Sequence, residues 1–228
     1  MTKVHPNAAA AAAAAAAVPP AAAAVVVAEA AGEEEKGEAV SLTVWRRSLL
    51  FNGKGFTVFD CKGNLVYRVE TYSGGSPREI VLMDADGHGL LTIRRKKLCL
   101  AEEWLIYDGD AAASPSAAPK RFTARRHVSL RPTRSLAHLS PARRPSCGAD
   151  AGAAPSCRYD VEGSYTGRSL DVFASSACGG EQRRRVVATV CQKEAAVGPD
   201  VFRLVVQPGF EPPLAMAVVI LLDQMNAS

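Results

Sequence analysis

The chain reads as a mainly β protein whose strands close into an antiparallel barrel around one buried C-terminal helix. Three observations predict this. Short segments rich in β-branched and aromatic residues recur from Leu42 onward, with glycine turns between them. Two of those turns share an Asp-x-x-Gly spacing, Asp60 to Gly63 and Asp84 to Gly87, 24 residues apart, as a meander of hairpins requires. Near the C-terminus, Leu214 to Leu222 gives nine apolar residues in a row behind Pro212-Pro213. At 1.5 Å per residue that run rises about 13 Å, under half of a ~30 Å hydrocarbon core, so it is too short for a membrane span. The leading prolines and the Ala, Met and Leu content favour a helix, although Val218-Val219-Ile220 alone would suit a strand. A helix with no polar face must be covered on every side, and in an otherwise all-β chain the inside of a closed barrel is the place that covers it.

Taken in order, residues 1–39 are an alanine-rich tail. Ala8 to Ala17 are all alanine, Pro19-Pro20 interrupt, and Glu33-Glu34-Glu35 follow. The double proline breaks any spanning helix, and Lys3 is the only cation before the alanine tract, so neither an anchor nor a secretory signal is expected. Residues 40–228 form one domain, large enough for a sizeable core. Its strands are expected at Phe56–Phe59, Leu65–Val69, Ile80–Met83, Leu90–Ile93, Trp104–Tyr107 and Arg121–Arg125, then at Ser169–Phe173, Arg185–Val190 and Val201–Val206. Two Ala-, Ser-, Pro- and Gly-rich stretches, 111–119 and 139–156, read as flexible insertions, because the strand pattern resumes after each. Trp45 and Trp104 are expected in the core or at a barrel end.

Composition removes several functions. The six cysteines and four histidines show no CxxC and no zinc spacing, which points to reduced, intracellular thiols. No GxSxG, HExxH, Walker A or GxGxxG motif occurs. Asp84-Ala-Asp86-Gly87 faintly echoes a calcium loop, but Arg95 stands where a bidentate Glu is required. Cys61 with His88 would make a nucleophile and base, yet no third group orients them. Neither an enzyme, a metal site nor a cofactor is expected. Charge is uneven: the chain is net +4, residues beyond 40 are net +7, and Ala111 to Ala149 holds eight cations and no acid.

Four segments in order, LLFNGKGFTVFDCKGNLVYRVETY (49–72), VLMDADGHGLLTIRRKKL (81–98), DVFRLVVQPGF (200–210) and AMAVVILLDQM (215–225), resemble the LURP-one-related family of plants. The resemblance runs from about Val40 to Met225. It implies a tubby C-terminal-like fold, about twelve strands around a central hydrophobic C-terminal helix, shared with phospholipid scramblases. Members are not established enzymes, and some are associated with defence against pathogens. The 139–156 loop is long for the family, and the approach to the last strand, Ala195 to Asp200, is short.

The most informative polar cluster is Arg94-Arg95-Lys96-Lys97. Alternate residues of a strand share a face, so Arg94 goes with Lys96 and Arg95 with Lys97. With Arg125 and Arg126 on a neighbouring strand, these cations suit an inositol phosphate through charge-assisted hydrogen bonds. Tubby proteins bind phosphoinositides through basic strand residues, but no tubby motif is matched here residue by residue. The plainer alternative is a solvated outer face that discourages aggregation. The basic stretch 120–144 offers only Phe122 for base stacking, so nucleic acid is not the expected partner. The expectation is therefore a non-enzymatic, anionic-lipid-binding monomer related to scramblases and tubby-like membrane-tethered transcription factors. It would be intracellular: cytoplasmic, membrane-peripheral or nuclear. The alternative is a plant defence or signalling adaptor acting through protein contacts alone. A scramblase-like lipid mover fits least, because the apolar helix is short and already buried.

Overall fold

The computed structural model describes residues 37–48, 55–70, 79–96, 102–111, 119–128, 133–142, 157–178, 181–193, 198 and 200–226. The Ala-rich tail up to residue 36, Lys97 and most of both expected insertions (112–118 and 143–156) lie outside them. Twelve strands precede one helix. They are β1 (Val40–Trp45), β2 (Gly55–Phe59), β3 (Leu65–Glu70), β4 (Glu79–Asp84), β5 (Gly89–Arg95) and β6 (Glu103–Asp108), then β7 (Lys120–Arg126), β8 (Ser135–Pro141), β9 (Arg158–Ser164), β10 (Ser169–Cys178), β11 (Glu181–Gln192) and β12 (Val201–Val206). The helix α1 runs Pro212–Asn226.

Each strand pairs antiparallel with its chain neighbours, and β1 closes the ring by pairing with both β2 and β12. Closure gives every described strand a partner on both sides. All nine expected strands are present. β1, β8 and β9 are three further strands beyond those nine. Leu139 to Pro141, expected to open the second insertion, instead complete β8, where Leu139 faces Ala124 of β7 and Tyr159 of β9. The short approach to β12 leaves its hairpin in regular register, from Gln192 opposite Phe202 to Ala188 opposite Val206.

Two turns form as their spacing requires. Asp60 Oδ1 accepts from the amides of Lys62 and Asn64, and Asp84 Oδ1 from those of Gly87 and His88. Gly63 (φ +85°) and Gly87 (φ +97°) supply the left-handed backbone that side chains resist.

Alternation along the strands sends one set of side chains inward. Val44, Val58, Leu82, Ile93, Ile106, Val161 and Phe202 are among those fully buried there. α1 fills the enclosed space, with every residue from Leu214 to Leu222 at most 2% exposed. The apolar run is thus helical, and its β-branched centre does not break it. The helix is held at both ends. The Glu211 carbonyl accepts from the Ala215 amide, while its carboxylate takes a bidentate pair from Arg121 of β7 (2.6 and 2.8 Å). In the last turn, Asp223 sits where the helix dipole disfavours an anion. Arg46 (2.6 Å) and the Tyr165 hydroxyl (2.9 Å) offset this. Because the interior is occupied, binding chemistry has to be carried by the outer wall and the rims. Among the described residues, no helix is long and apolar enough to cross a membrane.

Candidate functional site

Adjacent strands β5, β6 and β7 bring the candidate cations together, in two groups set by the strand alternation. On the outer wall, Glu103 lies opposite Arg125 in the β6–β7 register. Its carboxylate takes Lys96 Nζ at 3.1 Å and Arg125 Nη2 at 3.2 Å. The second group has inward parity and sits where the strands end, so it marks the rim. There Glu102 takes Arg95 Nη2 at 3.5 Å and Arg126 Nη1 at 3.7 Å. Each carboxylate thus serves two cations, and the four cations keep a net charge of +2. Their side chains stay 45–64% exposed. Each pair contributes at most ~1 kcal/mol to stability at such exposure, but it holds the long side chains at fixed spacing.

Arg94 stands apart. Its Nε binds Glu79, its Nη2 donates to the Ala111 carbonyl at 2.9 Å, and its guanidinium lies 5.6 Å from the Tyr107 ring centre. With the Thr92 hydroxyl, which donates to the Gly109 carbonyl and accepts from the Ala111 amide, Arg94 fastens residues 109–111 over the outside of β5. It is committed to the fold. Lys97 is outside the described residues.

Glu103 is only 6% exposed, and its carboxylate is bonded to the half-exposed Lys96 and Arg125. Burial works against ionisation, but the hydrogen bonds and charges of Lys96 and Arg125 prevail and hold its carboxyl below the ordinary range. It is an anion at neutral pH and sets how much positive charge the wall presents.

The same wall continues into a polar chain that the sequence did not reveal. His138 of β8 lies opposite Arg125 of β7 on one side and Asp160 of β9 on the other. Its Nδ1 is 2.7 Å from Asp160 Oδ1, and its Nε2 is 2.9 Å from Nδ1 of His127. Ser175 of β10 donates to the other Asp160 oxygen at 2.9 Å. Burial again opposes the charged form of Asp160, and bonds from His138 and Ser175 with nearby Arg184 outweigh it, so the carboxyl is held below its ordinary value. A trough of about 500 Å³ runs over β7 and β8, lined by Glu103, Lys120, Arg125, Arg126, His127 and His138 among others. It joins Arg125 and Arg126 to the histidines.

The other candidates from the sequence lie on turns between strands. Asp84, Asp86 and His88 bring ligand atoms within 4.8 Å of one another, but on an exposed turn whose Asp84 is engaged in the turn's own hydrogen bonds. Cys61 is exposed on the β2–β3 turn and His88 is on the β4–β5 turn. Cys61, Cys157 and Cys191 are free thiols. Trp104 is a core residue, 2% exposed. A second outer cavity of about 410 Å³, between β1, β2 and β12, includes Lys193 and Arg203.

A model of the LURP-one-related family matches residues 40–223. Protein LURP-one-related 8 of Arabidopsis thaliana is 41% identical over 196 residues, covering 83% of this chain and 89% of that protein. Protein LURP-one-related 17 of the same plant is 36% identical, covering 83% and 84%. The X-ray structure of an Arabidopsis thaliana protein superposes with a TM-score of 0.55 at 20% identity, over 82% of this chain and 91% of the other, and shows the shared fold.

Proposed function

This chain belongs to the LURP-one-related family, and from that footing we propose that it is a non-enzymatic module binding anionic lipid headgroups, phosphoinositides first among them, at a membrane surface. On this reading the chain shares with phospholipid scramblases and tubby-like membrane-tethered transcription factors both a barrel and the use of its surface at a membrane. The observation that carries the proposal is the convergence of Arg95, Lys96, Arg125 and Arg126 across β5–β7, half-exposed and held in place by only two carboxylates. A phosphate meeting them finds oriented donors and a surplus of positive charge.

Co-sedimentation with phosphatidylcholine vesicles, with and without phosphatidylinositol 4,5-bisphosphate, tests it. A Lys96→Gln/Arg125→Gln protein should bind about 30-fold more weakly, from ~1 kcal/mol per cation near the surface. Glu103→Gln should do the reverse, tightening binding about 5-fold, because it frees both cations. Unchanged sedimentation in both variants removes the lipid reading.

A second reading has its own support. Every described candidate cation already has a carboxylate partner, as on a wall whose charges serve only solubility and fold. The protein would then be a defence or signalling adaptor using protein contacts, with exposed Val128 (86%) beside the trough as one contact point. Vesicle binding that ignores phosphoinositide favours it.

A further inference from the structure

We propose that the His127–His138 pair is the seat of a phosphate monoester group and that the pair takes up one proton as the anion docks. The inference rests on the lipid reading for its ligand class, and it adds a proton-linked element to the trough that reading uses.

Hydrogen bonding fixes where the protons are. Ionised Asp160 can only accept, so His138 Nδ1 must donate to it. In a neutral His138 the opposite nitrogen, Nε2, is then bare, with Ser135 Oγ 3.5 Å from it. His127 Nδ1, at 2.9 Å, has to donate to it, because two bare ring nitrogens would repel at that distance. A neutral His127 has then spent its one proton inward. Its Nε2, the ring nitrogen of the pair with no partner among the described residues, is a lone pair unable to donate to an anion. One added proton changes this. Shared between the two rings, it leaves His127 Nε2 as a charged donor and keeps the bond to Asp160. Asp160 thus acts at a distance, through His138, to favour the form of His127 that an anion needs.

The surroundings select an anion over a metal ion. A carboxylate behind a histidine is also a metal-site arrangement. Here, however, Lys120, Arg125 and Arg126 share the trough and would repel a divalent cation, while they would complement a phosphate dianion. The charged groups that face the pair are Glu103 from β6, Lys120, Arg125 and Arg126 from β7, and Asp160 from β9. Glu162 of β9 lies beyond, neutralised by Arg184 of β11 at 2.6 Å. Glu103 is occupied by Lys96 and Arg125, so it does not compete for the added proton's charge.

The experiment is calorimetric titration of the full chain with inositol 1,4,5-trisphosphate across pH 6 to 8 or so, in buffers of different ionisation enthalpy. It is repeated with His127→Gln and with phosphatidylinositol 4,5-bisphosphate vesicles. The ligand's own ionisation is common to both proteins, so their difference isolates the histidine pair. Relative to His127→Gln, the native protein should lose affinity as pH rises, approaching about tenfold per pH unit, and should take up about one extra proton per ligand. His127→Gln should keep the native thermal midpoint. Stronger binding to vesicles than to the soluble headgroup would place the phosphate on a lipid; equal binding would point to a free phosphate ester. If both proteins bind the headgroup with the same pH profile, the proton-linked seat is overturned and the lipid reading stands. If neither vesicles nor headgroup bind the native protein at any pH, both fall.

Discussion

Substituting Leu221 tests whether α1 is the axle of the barrel. Leu221 is 1% exposed, and its neighbours in the helix are buried to the same degree. Leu221→Ala removes buried carbon from a site enclosed by strands that cannot all move inward, and should cost about 3 kcal/mol within the 2–5 range for such changes. In a domain of this size that lowers the thermal midpoint by about 6–12 °C. Leu221→Asp is worse. An unpartnered carboxyl there would have to be neutral, and protonating at pH 7 a group whose ordinary pKa is about 3.9 costs about 4 kcal/mol. With the lost packing the sum is about 7 kcal/mol, comparable with the whole stability of many domains. Val128→Asp, at an apolar residue 86% exposed, should change stability by less than ~0.5 kcal/mol. Thermal melts by circular dichroism, with solubility on expression, read all three. A soluble Leu221→Asp protein melting cooperatively within a few degrees of the native one would refute the central helix.

Two more predictions concern the scaffold. At Gly163 (φ +128°) a Cβ would lie 2.3 Å from the Ser169 carbonyl oxygen and 2.6 Å from Leu170 Cα, whereas at Gly63 (φ +85°) it would meet nothing within 4 Å. Gly163→Ala should therefore cost well over the ~1 kcal/mol of left-handed strain expected for Gly63→Ala. Equal urea midpoints would contradict the close approach. In acid, Asp160 and Glu103 both have folded pKa values below their ordinary 3.8 and 4.5. Their stabilisation is complete above those values and is lost as pH falls through the lower folded ones. Stability should thus drop below pH about 4, and Asp160→Asn should make that drop shallower. An identical acid limb in the variant would show that Asp160 is not held by His138 and Ser175.

The helix was legible because nine residues without a polar face leave no other solution, and the two Asp-x-x-Gly turns because their chemistry is local. β8 and β9 escaped for a physical reason. Ser-Leu-Ala-His-Leu-Ser-Pro has no β-branched residue, and Arg158–Ser164 has polar or glycine residues at most positions. Both strands are specified by partners on each side more than by their own propensity. Alternation correctly divided Arg94 and Lys96 from Arg95. It could not show that Arg94 would be taken up by Glu79 and Ala111, nor that Glu102 and Glu103 would each bridge two cations. Those facts depend on cross-strand register. So does the His127–His138–Asp160 chain, whose members are 11 and 22 residues apart and become neighbours only when β7, β8 and β9 align.

The most direct test of the binding wall is a map of amide chemical shifts in isotopically labelled protein titrated with inositol 1,4,5-trisphosphate. Shifts should be confined to Lys96, Glu103, Thr123 to His127 and His138, along β5–β8. Amides of Ser41, Thr43 and Arg203, on the far side of the ring, should stay still. Shifts centred on that far wall, or none at all, would contradict it.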